Sequence, residues 1–191
     1  MVVSNIIGLA SVEHGFHIKT AETHGLAQRS GSIYTHIRIS KEEQVFSSLI
    51  PYGEGDMLLA LEAIEALRNV EYLKKGSTII LNDYIWHPIQ ETFERVKDPT
   101  IPYITMEDIA VKLKEVSKHV MVVNALDLAN KAGNLLTINV VLLGILLKQK
   151  SFPISIEQVK QIIPKVVPHK AIEANLKALD FGYNISHPSF L

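Results

Sequence analysis

The sequence predicts an α/β fold of three layers, α/β/α, with a mostly parallel sheet and one antiparallel hairpin. Residues 57–61, 78–82 and 120–123 are short apolar runs, typical of strands that a parallel sheet buries on both faces. A helical spacing of apolar residues separates the first two runs. Strand, helix and strand in this order form a βαβ unit, whose two strands lie parallel through a right-handed crossover.

The other elements follow from their periodicity. Residues 3–10 have helical spacing and end near Gly15, a suitable helix C-cap. Residues 16–19 and 33–39 alternate as strands do, and Lys41, Glu42 and Glu43 have the character of a hairpin turn into residues 45–46.

The helix between the first two apolar runs is predicted over residues 62–73. Lys74, Lys75 and Gly76 follow it, as cations and a glycine often close a helix. Three prolines mark an irregular connection over residues 83–105. Further helices are predicted over residues 106–116, 125–132, 138–147, 155–163 and 169–181. We expect one domain over residues 1–191, because nothing resembles a linker or a repeat.

Composition excludes several classes of protein. The chain has 191 residues, 47% hydrophobic residues, a net charge of −1 and no cysteine. A chain of this length buries roughly two-thirds of its unfolded surface, enough for a core without disulfides. A near-zero charge disfavours nucleic-acid binding, which needs a basic face. Without cysteine, these residues can supply neither a thiol nucleophile nor thiolate ligands for zinc or an iron–sulfur cluster.

Targeting and membrane signals are not evident. The first five residues carry no basic charge of the kind that opens a secretory signal. The longest apolar run, residues 135–147, is shorter than the roughly 20 residues that span a bilayer. We therefore expect a cytoplasmic protein that does not bind a membrane.

A polar segment between two predicted strands is the strongest candidate site. Residues 21–32 form a predicted loop with a carboxylate, an imidazole, an amide, a guanidinium and two glycines. Such loops often carry the binding chemistry of α/β folds. Arg29 can bind a carboxylate or a phosphate through two hydrogen bonds, and His24 can donate a proton near neutral pH. The structural alternative is a Glu22–Arg29 salt bridge, with Gly25 and Gly31 serving only turns.

Metal-binding and phosphate-binding patterns are missing. The eight histidines are scattered without an HExxH motif, and surface histidines are the simpler interpretation. The sequence has no GxxxxGK[ST] or GxGxxG segment, and the acidic loop at residues 53–56 is unsuited to a phosphate. We expect no metal site in this chain.

Residues 22–32 resemble the E-x-H-G-x-A-Q-R-G-G-S segment of the gamma-type subunit or domain of 2-oxoacid:ferredoxin oxidoreductases. The indolepyruvate type, through its beta subunit, resembles them most. The similarity continues in order along nearly the whole chain, through residues 48–51, 56–62, 65–68, 73–76, Asn82, 125–129, 133–134, 139–144 and 168–182.

The resemblance implies a function for the chain within a larger enzyme. Such enzymes decarboxylate a 2-oxoacid on thiamine diphosphate, pass electrons through iron–sulfur clusters to ferredoxin, and transfer the acyl group to coenzyme A. It implies a large partner subunit that carries thiamine diphosphate and the clusters, while this chain alone binds no cofactor. No residue is assigned as catalytic. The surface that faces substrate or partner would contain Glu22, His24, Gly25, Gln28, Arg29, Gly31 and Ser32.

The chain departs from the family pattern in two places. Family members open with a strand and a G-x-G-G-Q-G loop, whereas this sequence begins inside what resembles the following helix. Two alternatives are a mis-started or fragmentary sequence and a genuine short form. Ser30 also stands where the family has glycine, and its side chain could narrow a ligand's approach.

Three functions remain open from the sequence. The first is a subunit of an oxidoreductase for indolepyruvate or another aryl pyruvate. The second is a non-catalytic binding or assembly module, or an inactive truncated form. The third is a separate enzyme that uses Glu22, His24 and Arg29, which the lack of a nucleophile or metal motif disfavours.

Overall fold

The structure is a computed structural model that describes residues 2–24, 32–87, 89–186 and 189–190. The chain divides into two compact units, residues 1–51 with 125–186 and residues 52–124 with 187–191. The single domain expected from the sequence stays a prediction. The helices and strands are α1 (Val2–Glu13), β1 (His17–His24), β2 (Ile33–Ser40), β3 (Gly55–Ala60), α2 (Ala63–Arg68), β4 (Leu73–Asn82), α3 (Ile89–Lys97), α4 (Met106–Lys114), β5 (His119–Val123), α5 (Ala125–Lys131), α6 (Ile138–Leu147), α7 (Ile156–Val166), α8 (Ile172–Tyr183) and β6 (Ser189–Phe190).

The first unit combines α1, the β1–β2 pair and the C-terminal helices. Helix α6 is apolar on all sides, and residues 140–147 are buried. A helix that is hydrophobic all round belongs in a core. Helix α8 crosses it closely, because Gly144 and Gly182 leave backbone facing backbone where the two helices meet. Strands β1 and β2 are antiparallel, with His17 opposite Ser40 and His24 opposite Ile33.

The second unit is built on a sheet of strand order β3-β4-β5-β6. Strands β3, β4 and β5 are parallel, and β6 is antiparallel to β5. Helices α2 and α4 pack together beside the sheet, around a core that includes Ile79, Leu81 and Ile109. A capping box at Thr105 and Asp108 begins α4. The predicted α/β class and the βαβ unit are confirmed.

Strand β2 does not form the predicted hairpin with residues 45–46. Strand β2 pairs with β1, and residues 45–46 form no strand. Strand β1 also continues to His24, so residues 21–24 are strand where a loop was predicted. The alternation of apolar and polar residues ends after Lys19, because the second half of β1 carries hydrophilic side chains on both faces. A pattern search therefore does not detect that half as a strand.

Several other boundaries differ from the predictions. Helix α2 ends at Arg68, and Lys74, Lys75 and Gly76 lie in β4. The register between β3 and β4 shifts there, and Gly76 adopts φ +79°, which glycine tolerates without strain. Residues 83–105 contain α3 and are not wholly irregular. Strand β3 is only half-buried at Met57–Leu59, whereas β4 and β5 are buried as predicted.

Candidate functional site

The candidate segment lies between paired strands. Because His24 is opposite Ile33, the chain leaves β1 and enters β2 at the same end of the pair. Glu22 and Ser32 are exposed there. Only the backbone of His24 is described, and Gly25, Gln28, Arg29 and Gly31 lie outside the described residues. The Glu22–Arg29 salt bridge therefore stays an untested alternative.

A side chain of helix α1 binds the carboxylate of Glu22. The hydroxyl of Ser4, a buried residue of α1, donates a hydrogen bond of 2.9 Å to Glu22 Oε1. Ser4 was not predicted, although its spacing from the apolar residues of α1 is informative. Ser4 precedes Ile7 by three residues, so it lies on the buried face of α1. This contact fixes one end of the candidate segment to the first unit.

Polar side chains of β2 form hydrogen bonds with the backbone of the segment that follows this strand. The backbone N–H of Ile50 donates to His36 Nδ1 over 3.3 Å. The Arg38 guanidinium donates to the carbonyl oxygens of Ser47 and Leu49, at 3.2 and 3.3 Å. These bonds hold residues 47–50 against β2.

His36 contradicts the interpretation of the histidines as surface residues. Its side chain is 5% exposed, and its ring lies edge-on to Tyr34, with centroids 5.4 Å apart. Burial lowers the pKa of His36. The hydrogen bond points the same way, because Nδ1 can accept the Ile50 N–H only while it carries no proton.

We expect the neutral state of His36 to make stability depend on pH. Because its folded pKa is lowered, the unfolded chain binds the proton more readily. The contribution is present above about pH 6.5, the ordinary histidine value, and is lost as the pH falls toward the lower folded pKa. Urea unfolding at pH 8 and at pH 5.5 measures this loss.

The matched variants for that measurement are His36→Gln and His17→Gln. We expect His36→Gln to reduce the difference in unfolding free energy between the two pH values. His17→Gln, at an exposed position on β1, should leave that difference as in the wild type. An equal pH dependence in all three proteins would contradict the role given to His36.

A second polar cluster lies at the carboxyl ends of β3 and β4. The Glu62 carboxylate accepts the N–H groups of Ile64 at 3.0 Å and Glu65 at 2.8 Å, and so caps α2. Its Oε1 also accepts the Trp86 N–H at 2.9 Å. The buried Asn82 side chain donates to the Leu61 carbonyl at 3.1 Å. Ligands of open α/β sheets bind at such carboxyl ends.

Glu62 and Asn82 were not predicted as site residues and belong only to the segments that resemble the family. Each directly follows or ends an apolar run, and this position is the signal that could have identified them. Local periodicity does not show that Glu62 also binds the backbone of Trp86, because the two residues are 24 positions apart in the sequence.

The implied redox groups can be tested against these residues. Within the described ranges, no three His, Asp or Glu side chains come together in a way that could hold a metal ion. Without cysteine, these residues do not fit a Cys-ligated iron–sulfur cluster. Among the helices of the described part, none is long and apolar enough to cross a membrane.

The family model of pyruvate ferredoxin/flavodoxin oxidoreductase matches residues 1–185. The chain therefore belongs to this family, which confirms the resemblance read from residues 22–32 and the segments after them. It is similar to indolepyruvate oxidoreductase subunit IorB of Archaeoglobus fulgidus, with 40% identity over 184 residues, 96% of this chain and 88% of that one. The protein of the same name from Thermococcus kodakarensis is 35% identical over 185 residues, 95% of this chain and 87% of the relative.

Solved structures support the fold. The gamma subunit of the keto/oxoacid ferredoxin oxidoreductase of Geobacter sulfurreducens matches with a TM-score of 0.62 and 19% identity, over 95% of this chain and 85% of that one. The pyruvate oxidoreductase subunit PORC of Thermotoga maritima matches with a TM-score of 0.58 and 18% identity, over 94% and 85%. At these identities the matches establish the fold alone.

Proposed function

We propose that this chain is the smaller subunit of an indolepyruvate:ferredoxin oxidoreductase. The observation that carries the proposal is the 40% identity to an indolepyruvate oxidoreductase subunit over 96% of the chain. The enzyme would convert an aryl pyruvate and coenzyme A into an aryl-acetyl-CoA and carbon dioxide, with two electrons passing to ferredoxin. Thiamine diphosphate and the clusters would be bound by a larger partner subunit in the cytoplasm.

The absence of cysteine supports the assignment of the iron–sulfur clusters to the partner subunit. Iron–sulfur clusters are held mainly by cysteine thiolates, and these 191 residues contain none. The exposed position of Glu22 supports a contact role for the segment that begins there. In the proposal, Arg29 binds a carboxylate or another anion, and His24 and Gln28 form hydrogen bonds that Glu22 orients. Gly25, Gly31 and Ser32 line the same surface.

The direct test is co-expression with a candidate partner subunit that carries thiamine and ferredoxin-type motifs. We expect the purified complex, and not the isolated chain, to reduce viologen with indolepyruvate and coenzyme A. Turnover by the isolated chain would favour the separate enzyme. A complex that forms without any 2-oxoacid-dependent reduction would favour the assembly module.

Arg29→Ala tests the residue with the most specific role. Hydrogen bonds to charged groups contribute about 1.5–3 kcal/mol, so we expect viologen reduction to fall by about 10- to 100-fold in the complex. Arg68→Ala is the control, because Arg68 is exposed and pairs with Glu65 three residues before it on α2. Equal rates in the wild type and Arg29→Ala would contradict the role of Arg29.

A further inference from the structure

Three large apolar side chains lie exposed at the carboxyl ends of β3 and β4. Leu61 is 52% exposed, Tyr84 is 46% exposed and Trp86 is 61% exposed. The rings of Tyr84 and Trp86 meet edge to face, with centroids 6.5 Å apart. We call Leu61, Tyr84 and Trp86 the edge patch.

The backbone that carries the edge patch is fixed by hydrogen bonds. The Leu61 carbonyl accepts from Asn82, and the Trp86 N–H donates to Glu62. The Tyr84 carbonyl accepts the Ala63 N–H at 2.9 Å. Each residue of the patch therefore has a constrained backbone, while its side chain is left in contact with water.

This combination is typical of a docking surface. Tyrosine and tryptophan are enriched among the residues that contribute most to binding between proteins. A rigid backbone lowers the conformational entropy that binding costs. Burying a large apolar side chain stabilises a fold by about 1.5–3 kcal/mol. A side chain left in water does not contribute this free energy to folding.

The charge around the edge patch restricts what can dock there. Glu62 and Asp83 adjoin Leu61 and Tyr84 in sequence, whereas the charge of Glu65 is paired with that of Arg68. Asp83 is exposed. A complementary partner would present an apolar pocket with basic side chains at its rim.

We propose that the edge patch docks the larger subunit of the oxidoreductase, with Trp86 entering an apolar pocket that has a basic rim. The inference rests on the proposed function, since that function supplies the partner. It adds which surface is buried, which side chain is its anchor and what chemistry receives it.

The experiment uses Trp86 as a reporter, because it is the only tryptophan of the chain. The chain is labelled with 5-fluorotryptophan and mixed with the unlabelled partner subunit. We expect the single ¹⁹F resonance to shift and broaden on complex formation. An unchanged chemical shift in a complex that forms would overturn the docking proposal.

Variants measure the contribution to affinity. We expect Trp86→Ala to raise the Kd by about thirtyfold or more, as for the residues that dominate an interface. Asp83→Lys should slow association and weaken its dependence on salt. Leu136→Ala is the control, because Leu136 is 85% exposed in the first unit and should leave the Kd unchanged.

The outcomes separate the two proposals. If the wild-type complex turns over indolepyruvate and Trp86→Ala binds as tightly as the wild type, the docking surface is wrong and the proposed function stands. If Leu136→Ala weakens binding as much as Trp86→Ala, the loss is not specific to the edge patch and the docking proposal also fails. If the wild-type chain neither binds the partner nor supports turnover, both proposals fail.

Discussion

Replacing Gly182 with alanine is expected to lower the free energy of unfolding by about 3 kcal/mol. A Cβ atom at this position would lie 2.8 Å from the carbonyl carbon of Val141, and its nearest neighbour is the Val141 carbonyl oxygen. Both are backbone atoms of α6, so no side-chain rotation can relieve the overlap. The helices would have to separate within a core that is close-packed.

Gly8→Ala is the matched control for Gly182→Ala. Gly8 lies in α1 of the same unit, and a Cβ there would have no neighbour within 4 Å. We expect this variant to gain about 0.5–1 kcal/mol, the usual difference between alanine and glycine inside a helix. Urea unfolding followed by far-ultraviolet circular dichroism measures both changes. Destabilisation of similar size in both variants would contradict the close-crossing explanation.

Glu62→Ala is expected to destabilise the second unit by about 2–3 kcal/mol. The substitution removes the cap of α2 and leaves the Trp86 N–H without its carboxylate acceptor. Loss of a helix cap costs about 0.5–2 kcal/mol, and the bond from Trp86 to a charged acceptor adds to this. Thermal and urea unfolding of the variant measure the loss.

Two further variants make the Glu62 prediction specific. Glu62→Gln keeps one acceptor oxygen for the N–H groups of Ile64 and Trp86, so we expect it to recover part of the stability. Glu65→Ala, on the same helix, removes an ion pair with the exposed Arg68 and should cost less than about 1 kcal/mol. A larger loss in Glu65→Ala than in Glu62→Ala would contradict the capping role.

Local pattern was enough to predict the elements with strong periodicity. The buried strands β4 and β5, the apolar helix α6 and the βαβ order all followed from runs of apolar residues. It failed at β1, whose polar second half has no alternation, and at residues 74–76, where charged residues and a glycine belong to a strand. At β1 the pairing with β2 outweighs local preference, and residues 74–76 lie where the register between β3 and β4 shifts.

The candidate site was predictable only in part. The composition of residues 22–32 and their order identified the segment, and family membership confirms the resemblance that these residues carry. Ser4 beneath Glu22, the buried His36 and the edge patch were not predicted. Each depends on a contact or an exposed fraction set by residues distant in sequence.

The sequence by itself determined the α/β class, the family and the exclusion of thiolate-bound clusters, because apolar runs, an ordered set of short motifs and the lack of cysteine are properties of the chain alone. The tertiary structure decided that β2 pairs with β1, that His36 is buried and accepts the Ile50 N–H, and that the exposed Trp86 has a hydrogen-bonded backbone. The physical reason is that strand pairing, burial and hydrogen bonding join residues that are far apart in the chain.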